Sequence, residues 1–422
     1  MKKIWIMNHY ATNSYYNHGG RHYWFAKNLI KKEFDVTIFC ANTRHNMNDQ
    51  IEIKKGLYCK KNIDTIPYIF IKTKASIGNG IDRLKNMFFF YRNLKKVGHE
   101  FIKNGEKPDV ILASSVHPLT LVAGIKLGKK YNIPVICEIR DLWPEAIFAF
   151  KKVKEKSLIG KVLLKGEHWI YKNADALIFT KEGDKDYIIE KMWDMSSGGD
   201  IDLDKCYYIN NGLDFEEYMK SIKNVVINDR ELETNEFKVI YAGAIRPVND
   251  IGKLIETAKL LKNDSDIKII IYGDGSQKNQ IDKKILEYRL DNVIMKGFVN
   301  KKYIPYILSK SSVNILNYSQ SSYNWSRGNS SNKLFEYMAS GKPIISTVKM
   351  GYSPFKKYNM GIELEDAKAQ DIAEAIIKIK NMDKEKYELL SHNALEAAKE
   401  FDFKKHTNDL IKIITKILED KE

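Results

Sequence analysis

The sequence predicts an α/β protein of two doubly wound, Rossmann-like domains facing one another across a cleft, on three observations. Short apolar runs alternate with amphipathic stretches, that alternation occurs twice, and 422 residues exceed what one ordinary core holds. Runs fit for burial on both faces, with helical segments between them, are the pattern of a parallel sheet.

In the first half the runs are KIWIM, DVTIFC, DVILAS, IPVICEI and ALIFT, with helical patterns such as Trp24 to Lys31 and Leu119 to Lys130 between them. WDMSSGGDIDLDK then reads as a surface loop, and CYYINNG closes the half. The charged DRELETNE marks the end of an expected linker, 211–235. The second series is KVIYAGA, IKIIIYGDG, NVIMKGF, SVNILN and PIISTV. The expected domains are therefore 1–210 and 236–400. A last helix in 401–422 carries Leu410, Ile413, Ile414 and Ile417 on one side and is expected to pack back on the first domain.

Composition narrows the function classes. With 44% hydrophobic and 29% charged residues the chain is an ordinary globular one. Cys40, Cys59, Cys137 and Cys206 are scattered, which suits reduced thiols in a cytoplasm rather than a disulfide frame or a zinc site. MKKIWIMNHY reads as a first strand rather than a signal peptide, and no apolar run is long enough to span a bilayer. The net charge of +15 asks for an anionic partner. Nucleic acid is the weakest choice, because no helix-turn-helix, finger or RNA-binding signature accompanies the charge.

The stretch NKLFEYMASGKPII, 332–345, predicts a helix that stops at Gly341 and Pro343 and turns into a buried strand. Lys333, Glu336 and Ser340 share one side of it, opposite Leu334, Phe335, Met338 and Ala339. Ser330, Ser331 and Asn332 are candidates to cap the helix, leaving amides free at its positive end. A phosphate there would meet those amides and Lys333, with Arg327 just upstream. Glu336, one turn in, would accept hydrogen bonds from vicinal hydroxyls such as those of a ribose. The plainer reading is an amphipathic helix with an exposed Lys–Glu pair. Gly273 and Gly275 in YGDGS follow a strand, where they would let backbone approach an anion or would serve turn geometry. Arg246 in YAGAIR holds the corresponding place one strand earlier.

In the first half, Gly19 and Gly20 follow the loop NHYATNSYYNH, and His117 follows a strand in SSVHPLT. EIRDLWPE packs Glu138, Arg140, Asp141 and Glu145 into eight positions. A satisfied salt-bridge network and a polar-substrate site both account for that density.

Taken together, the Gly19–Gly20 loop, EIRDLWPE, NNGLD, YAG, YGDGS, KGF and NKLFEYMASGKPII resemble glycosyltransferases of family 4 with the GT-B fold. The resemblance spans nearly the whole chain and is nearest to the bacterial subset that builds O-antigen and capsule repeats, including N-acetylfucosamine-type transferases. It implies a retaining transferase that moves a sugar from a nucleotide-diphosphate donor, commonly a UDP-sugar, to a polyprenyl-diphosphate-linked or glycan acceptor, with no cofactor and no metal. It implies donor contacts at Gly19, Gly20, Arg246, Gly273, Gly275, Arg327, Ser331, Asn332, Lys333 and Glu336. Catalytic roles fall to His117 and Asp141, and acceptor-side roles to Arg140 and Glu145. Three positions depart from the family pattern: Gly328 stands where a glutamate is common, Ala244 for an arginine, and Asn249 for a lysine. Two other classes stay open, a GT-B nucleotide-sugar epimerase and a non-catalytic glycosyltransferase-like subunit.

One stretch points to a membrane surface. Residues 80–104 place Ile81, Leu84, Phe88, Tyr91 and Leu94 on a stripe flanked by Arg83, Lys85, Arg92, Lys95, Lys96 and Lys103. A core helix explains the stripe; an interfacial helix explains the cations as well. The expectation is a cytoplasmic protein peripheral to the inner face of the cell membrane.

Overall fold

The computed structural model describes residues 1–44, 47, 50–76, 78, 80–149 and 153–421. The chain divides into two units, Met1–Asn210 with Phe403–Glu422, and Asn211–Asp402. It therefore passes between the units at 210–211 and again at 402–403.

The first unit holds an eight-stranded sheet of order β3-β4-β2-β1-β5-β6-β7-β8. Its strands are β1 Lys3–Asn8, β2 Asp35–Ala41, β3 Tyr58–Ile63, β4 Ile66–Ile71, β5 Val110–Ser114, β6 Val135–Ile139, β7 Ala176–Phe179 and β8 Cys206–Tyr208. All pairings are parallel except that of β3 with β4. Parallel strands need crossover helices, and these cover both faces. On one face the helices Ile81–Lys103, Pro118–Tyr131 and Leu158–Asn173 bury Phe90, Leu94, Leu121, Ile125, Ile170 and Tyr171 against the sheet. On the other, Arg21–Lys31 and Phe403–Glu419 bury Phe25, Leu29, Leu410, Ile413 and Ile414. The last helix belongs to this unit because its apolar side, Leu410, Ile413, Ile414 and Ile417, closes that core.

The second unit holds a six-stranded sheet of order β11-β10-β9-β12-β13-β14, in which every pairing is parallel. The strands are β9 Phe237–Ala242, β10 Ile267–Tyr272, β11 Val293–Gly297, β12 Val313–Leu316, β13 Ile344–Ser346 and β14 Gly361–Glu363. The stretch 211–235, expected as a linker, contains a helix, Phe215–Asn224, that is part of this unit. Asp214 caps it through the Glu217 N–H, and the Tyr218 hydroxyl donates to the Glu336 carbonyl at 2.8 Å.

Each sheet reverses its strand order once near the middle, between β1 and β5 in the first unit and between β9 and β12 in the second. In doubly wound sheets a ligand crevice opens at the carboxyl ends of the strands at that reversal.

Candidate functional site

In the second unit the reversal is occupied by Lys333. The helix Asn332–Ala339 begins at Ser331 and ends before Gly341, whose φ of 65° is the left-handed conformation read from the sequence. Leu334, Phe335, Met338 and Ala339 are buried. The expected capping by serine does not occur: the Ser331 hydroxyl makes no cap bond, and the Asn329 side chain instead accepts from the Ser331 N–H at 2.7 Å. That leaves first-turn amides uncapped.

The Lys333 side chain runs inward. Its Nζ donates to the Tyr241 hydroxyl at 3.1 Å and to Asn249 Oδ1 at 3.2 Å, and lies over the rings of Tyr241 and Tyr318 at 4.6 and 4.4 Å. Gly243 makes room for it, since a β-carbon there would sit 2.9 Å from Lys333 Cδ. Burial pushes the ammonium down to about 7, while nearby Glu336 pulls the other way. No carboxylate lies within ion-pair distance of Nζ among the described residues, and an ammonium has three donors for these two acceptors. A desolvated cation without a counter-ion is costly unless an anion arrives.

Glu336 sits one turn further in, as expected, and its carboxylate faces the exposed Lys301 at 3.3 Å. Arg246 is exposed in the loop after β9, and Arg327 is buried. The glycines of YGDGS serve geometry. The Gly273 N–H is spent on the Gly297 carbonyl and the Gly275 N–H on the Asp274 side chain, each at 2.7 Å. A β-carbon at Gly273 would collide with the Gly243 carbonyl, and one at Gly275 with that of Ile245. The amides expected to be available for an anion are therefore not.

The first unit carries the remaining residues at its own carboxyl edge. His117 follows β5, fully buried, with Nε2 at 2.6 Å from Nδ1 of His9, which follows β1. One ring donates to the other, and Phe90 stacks on His9 at 4.3 Å. Burial, with help from Arg83, pushes His117 down to about 3. The imidazole, for which a catalytic role was expected, is thus neutral and enclosed in this structure. The sequence reading missed His9, although a histidine just past the first strand at a chain reversal is a usable signal.

Glu138 answers the question raised by EIRDLWPE. It is wholly buried, accepts from Arg21 Nε at 2.6 Å and from the Ser114 hydroxyl at 2.6 Å, and meets His22 at 3.1 Å. Burial raises its carboxyl, but Arg21 and His22 outweigh that and hold it well below the usual carboxylate range. Arg21 also donates to the carbonyls of Ile209 and Asn210. This network fixes the start of the Arg21–Lys31 helix, whose entry uses Gly20 at φ 95°, with Gly19 before it.

Asp141 is exposed beyond β6, and Arg140 is half-buried with its N–H on the Ser115 hydroxyl at 3.0 Å. Asp141 lines a small cavity of about 50 Å³ with Ser115, Leu121, Trp143, Leu163 and Glu167. Glu145 is half-buried on the short helix Trp143–Ala149. Glu167 was not foreseen. It is buried and accepts from the hydroxyls of Tyr171 and Tyr187 at 2.9 and 2.8 Å, yet burial wins and pushes it up to about 7. In the DIDLD stretch, Asp200 pairs with His168 and Lys172 at 2.8 and 2.7 Å, as a surface loop does.

Residues 23–217 match the family model Glycosyltransferase Family 4, and residues 223–397 match Glycosyl transferases group 1. The chain is 26% identical over 215 residues to a protein of Bacillus subtilis (strain 168) named as a teichuronic acid biosynthesis glycosyltransferase, TuaH, covering 50% of each. It is 30% identical over 141 residues to poly(ribitol-phosphate) alpha-N-acetylglucosaminyltransferase of Staphylococcus aureus (strain COL), covering 32% of this chain and 27% of that one. The chain thus spans half or less of the length of these curated relatives. Among solved structures, Anabaena HepE in complex with UDP aligns over 99% of this chain and 100% of its own, at TM-score 0.66 and 15% identity. Sucrose-phosphate synthase of Thermosynechococcus elongatus aligns over 100% of both chains, at 0.69 and 17%. At such identities the likeness establishes the fold, that of GT-B glycosyltransferases.

Proposed function

We propose that this chain, whose halves match the two domain families of a GT-B glycosyltransferase, moves a sugar from a nucleotide-diphosphate donor to a lipid-linked or glycan acceptor in surface polysaccharide synthesis. The observation that carries the proposal is Lys333, a half-buried, desolvated ammonium with no carboxylate partner among the described residues, at the carboxyl edge of β9 beside uncapped helix amides. A diphosphate supplies the missing charge, and the donor's ribose hydroxyls fall to Glu336. A uridine nucleotide is the donor we favour, because HepE binds UDP. An N-acetylhexosamine is the sugar class we favour, because one relative is named for it.

In the transfer, the bond from the anomeric carbon to the diphosphate oxygen breaks, the acceptor hydroxyl oxygen forms the new bond with retained configuration, and the hydroxyl's proton passes to the leaving diphosphate. Charge developing on the leaving diphosphate is met by Lys333, by the helix amides and by Arg246, with no divalent metal. Asp141, exposed at the edge of the first unit, is the acidic group assigned to the reacting sugar, with Arg140 and Glu145 toward the acceptor. His117, paired with His9, positions the loop after β5. Ile81, Leu84 and Phe88 are 71%, 59% and 54% exposed on the Ile81–Lys103 helix, and we assign that face to the membrane surface where a polyprenyl acceptor resides.

Titration calorimetry with UDP and with uridine tests the donor reading. Lys333→Ala weakens UDP by about 1.5–3 kcal/mol and leaves uridine nearly unchanged. Equal losses for both ligands refute the phosphate role. Conversion of the donor sugar without any acceptor would reassign the enzyme as an epimerase.

A further inference from the structure

The outward face of the helix Leu158–Asn173 has the wrong polarity for a solvated surface. Its inward side is conventional, burying Gly160, Glu167, Ile170 and Tyr171. Leu158 and Val162 lie on the opposite side, 80% and 61% exposed, and Ile159 in the first turn beside them is 62% exposed. Single exposed aliphatics are ordinary, but three contiguous ones on one helical end are not.

The charge around them is mostly of one sign. Lys154 and Lys156 precede the helix, and Lys161 and Lys165 stand on its outward side; all four are exposed. None of the four forms an ion pair with a carboxylate among the described residues. The one acid in their midst, Glu155, is already held by Lys191. Four unpaired cations rimming an aliphatic patch are complementary to a surface that is anionic outside and apolar within, which describes a phospholipid leaflet.

Topology places this face where it is useful. The helix packs beside Pro118–Tyr131, which packs beside Ile81–Lys103, all on one side of the first sheet. Each helix connects a strand's carboxyl end to the next strand's start, so all three begin at the sheet's carboxyl edge. Two helix ends with exposed apolar side chains, one of them rimmed by unpaired lysines, therefore begin at one edge of one unit, the edge that also carries Asp141.

We propose that the outward face of the Leu158–Asn173 helix is a second docking surface for an anionic phospholipid bilayer, a proposal that rests on the interfacial reading of the Ile81–Lys103 helix. Leu158, Ile159 and Val162 enter the acyl boundary while the lysine stems reach the headgroup phosphates. Two contacts at one edge fix which side of the unit meets the leaflet, as one contact would not.

The test is co-sedimentation of the full chain with vesicles of phosphatidylcholine alone or with phosphatidylglycerol, UDP binding being measured on the same samples. Wild type sediments with the anionic vesicles. Lys161→Glu/Lys165→Glu lowers the bound fraction at least about fivefold at low salt. Leu158→Ser/Val162→Ser lowers it most at raised salt, where the screened charges contribute least. All these side chains are exposed, so both variants keep the wild-type melting temperature and UDP affinity. Anionic-vesicle binding by either variant equal to wild type overturns the proposal. So does wild-type self-association that Leu158→Ser/Val162→Ser abolishes while vesicle binding persists. A chain that binds vesicles in this way but never UDP leaves the proposal standing and sinks the donor reading instead.

Discussion

Two cations withdrawn from solvent, the buried Arg21 in the first unit and the half-buried Lys333 in the second, sit at the carboxyl edges of similar sheets and are treated in opposite ways. Arg21 is matched within its own unit: Glu138 takes Nε, and two backbone carbonyls take the rest of the fork. Lys333 has two neutral acceptors, two aromatic rings and no carboxylate. A buried charge that the fold itself neutralises is part of the scaffold. One left unneutralised is where the protein waits for something from outside. Both are cations at a sheet's carboxyl edge, Arg21 buried and Lys333 half-buried, and what divides their roles is the counter-ion.

The largest effect expected from this difference is on stability. Arg21→Met strands the Glu138 carboxylate in the interior and should cost about 3–5 kcal/mol in urea denaturation at neutral pH. Lys333→Met removes a half-buried ammonium that has only neutral acceptors and no carboxylate partner among the described residues, and should leave stability unchanged or raised. If the two variants lose stability equally, the contrast drawn between them is wrong.

Glu167 sharpens the rule with the sign reversed. It is a buried acid held by tyrosine hydroxyls with no ion pair among the described residues, and burial pushes its carboxyl up to about 7 from an ordinary 4.5. The unfolded chain ionises it first as pH rises. Its stabilising contribution is therefore full below about 4.5, falls between 4.5 and 7, and is gone above 7. Glu167→Gln cannot ionise. Measured against wild type, it should gain about 3 kcal/mol of relative stability between pH 4.5 and pH 8. A gap that stays constant across that range would show that the two tyrosines already stabilise the charged form.

A third effect is on binding. Lys333 must be charged to hold a diphosphate, and burial sets its midpoint at about 7 in the free protein. Affinity for UDP should fall as pH rises, close to tenfold between 7.5 and 8.5, where the phosphate is already fully ionised. The groups facing Lys333 are Tyr241, Tyr318 and Glu336. The two phenols are pushed upward by burial, Tyr318 to about 12, so neither ionises in that window. Lys333→Arg should flatten the profile, since a guanidinium stays charged. A wild-type profile as flat as the arginine variant's would mean that Lys333 is not the phosphate's counter-ion.

How much of this was legible beforehand depended on whether a local pattern decided the matter. The apolar runs in each half became parallel strands, because a run buried on both faces has few other fates. The antiparallel edge pair Tyr58–Ile63 and Ile66–Ile71 went unnoticed, since YCKKNI lacks the apolar density of a core strand. The 80–104 stripe was read as one face, yet Ile81, Leu84 and Phe88 stand outward while Leu94 is buried. Steps of three and four averaging less than 3.6 residues per turn rotate such a stripe around the helix. In the site, the helix carrying Lys333 and Glu336 and its stop at Gly341 were visible. That Lys333 would end on Asn249, 84 positions away, was not. Nor could spacing show that the amide of Gly273 is used up internally, because its bond to Gly297 joins separate strands, whereas that of Gly275 is taken locally by the Asp274 side chain.

The smallest expected effect concerns Glu336. It lies on the same helix as Lys333, yet it is partly exposed and already paired with Lys301, which is itself 73% exposed. A pair of that kind contributes little and is readily exchanged for a ligand's hydroxyls. Glu336→Ala should therefore leave stability unchanged and weaken UDP and uridine alike, by about 1 kcal/mol, because the contact assigned to it is with the ribose they share. Lys333 variants should discriminate between those two ligands, and Glu336 variants should not. If Glu336→Ala lowers the affinity for UDP alone, the carboxylate acts through Lys333 rather than on the sugar, and the division of labour along this helix has to be redrawn.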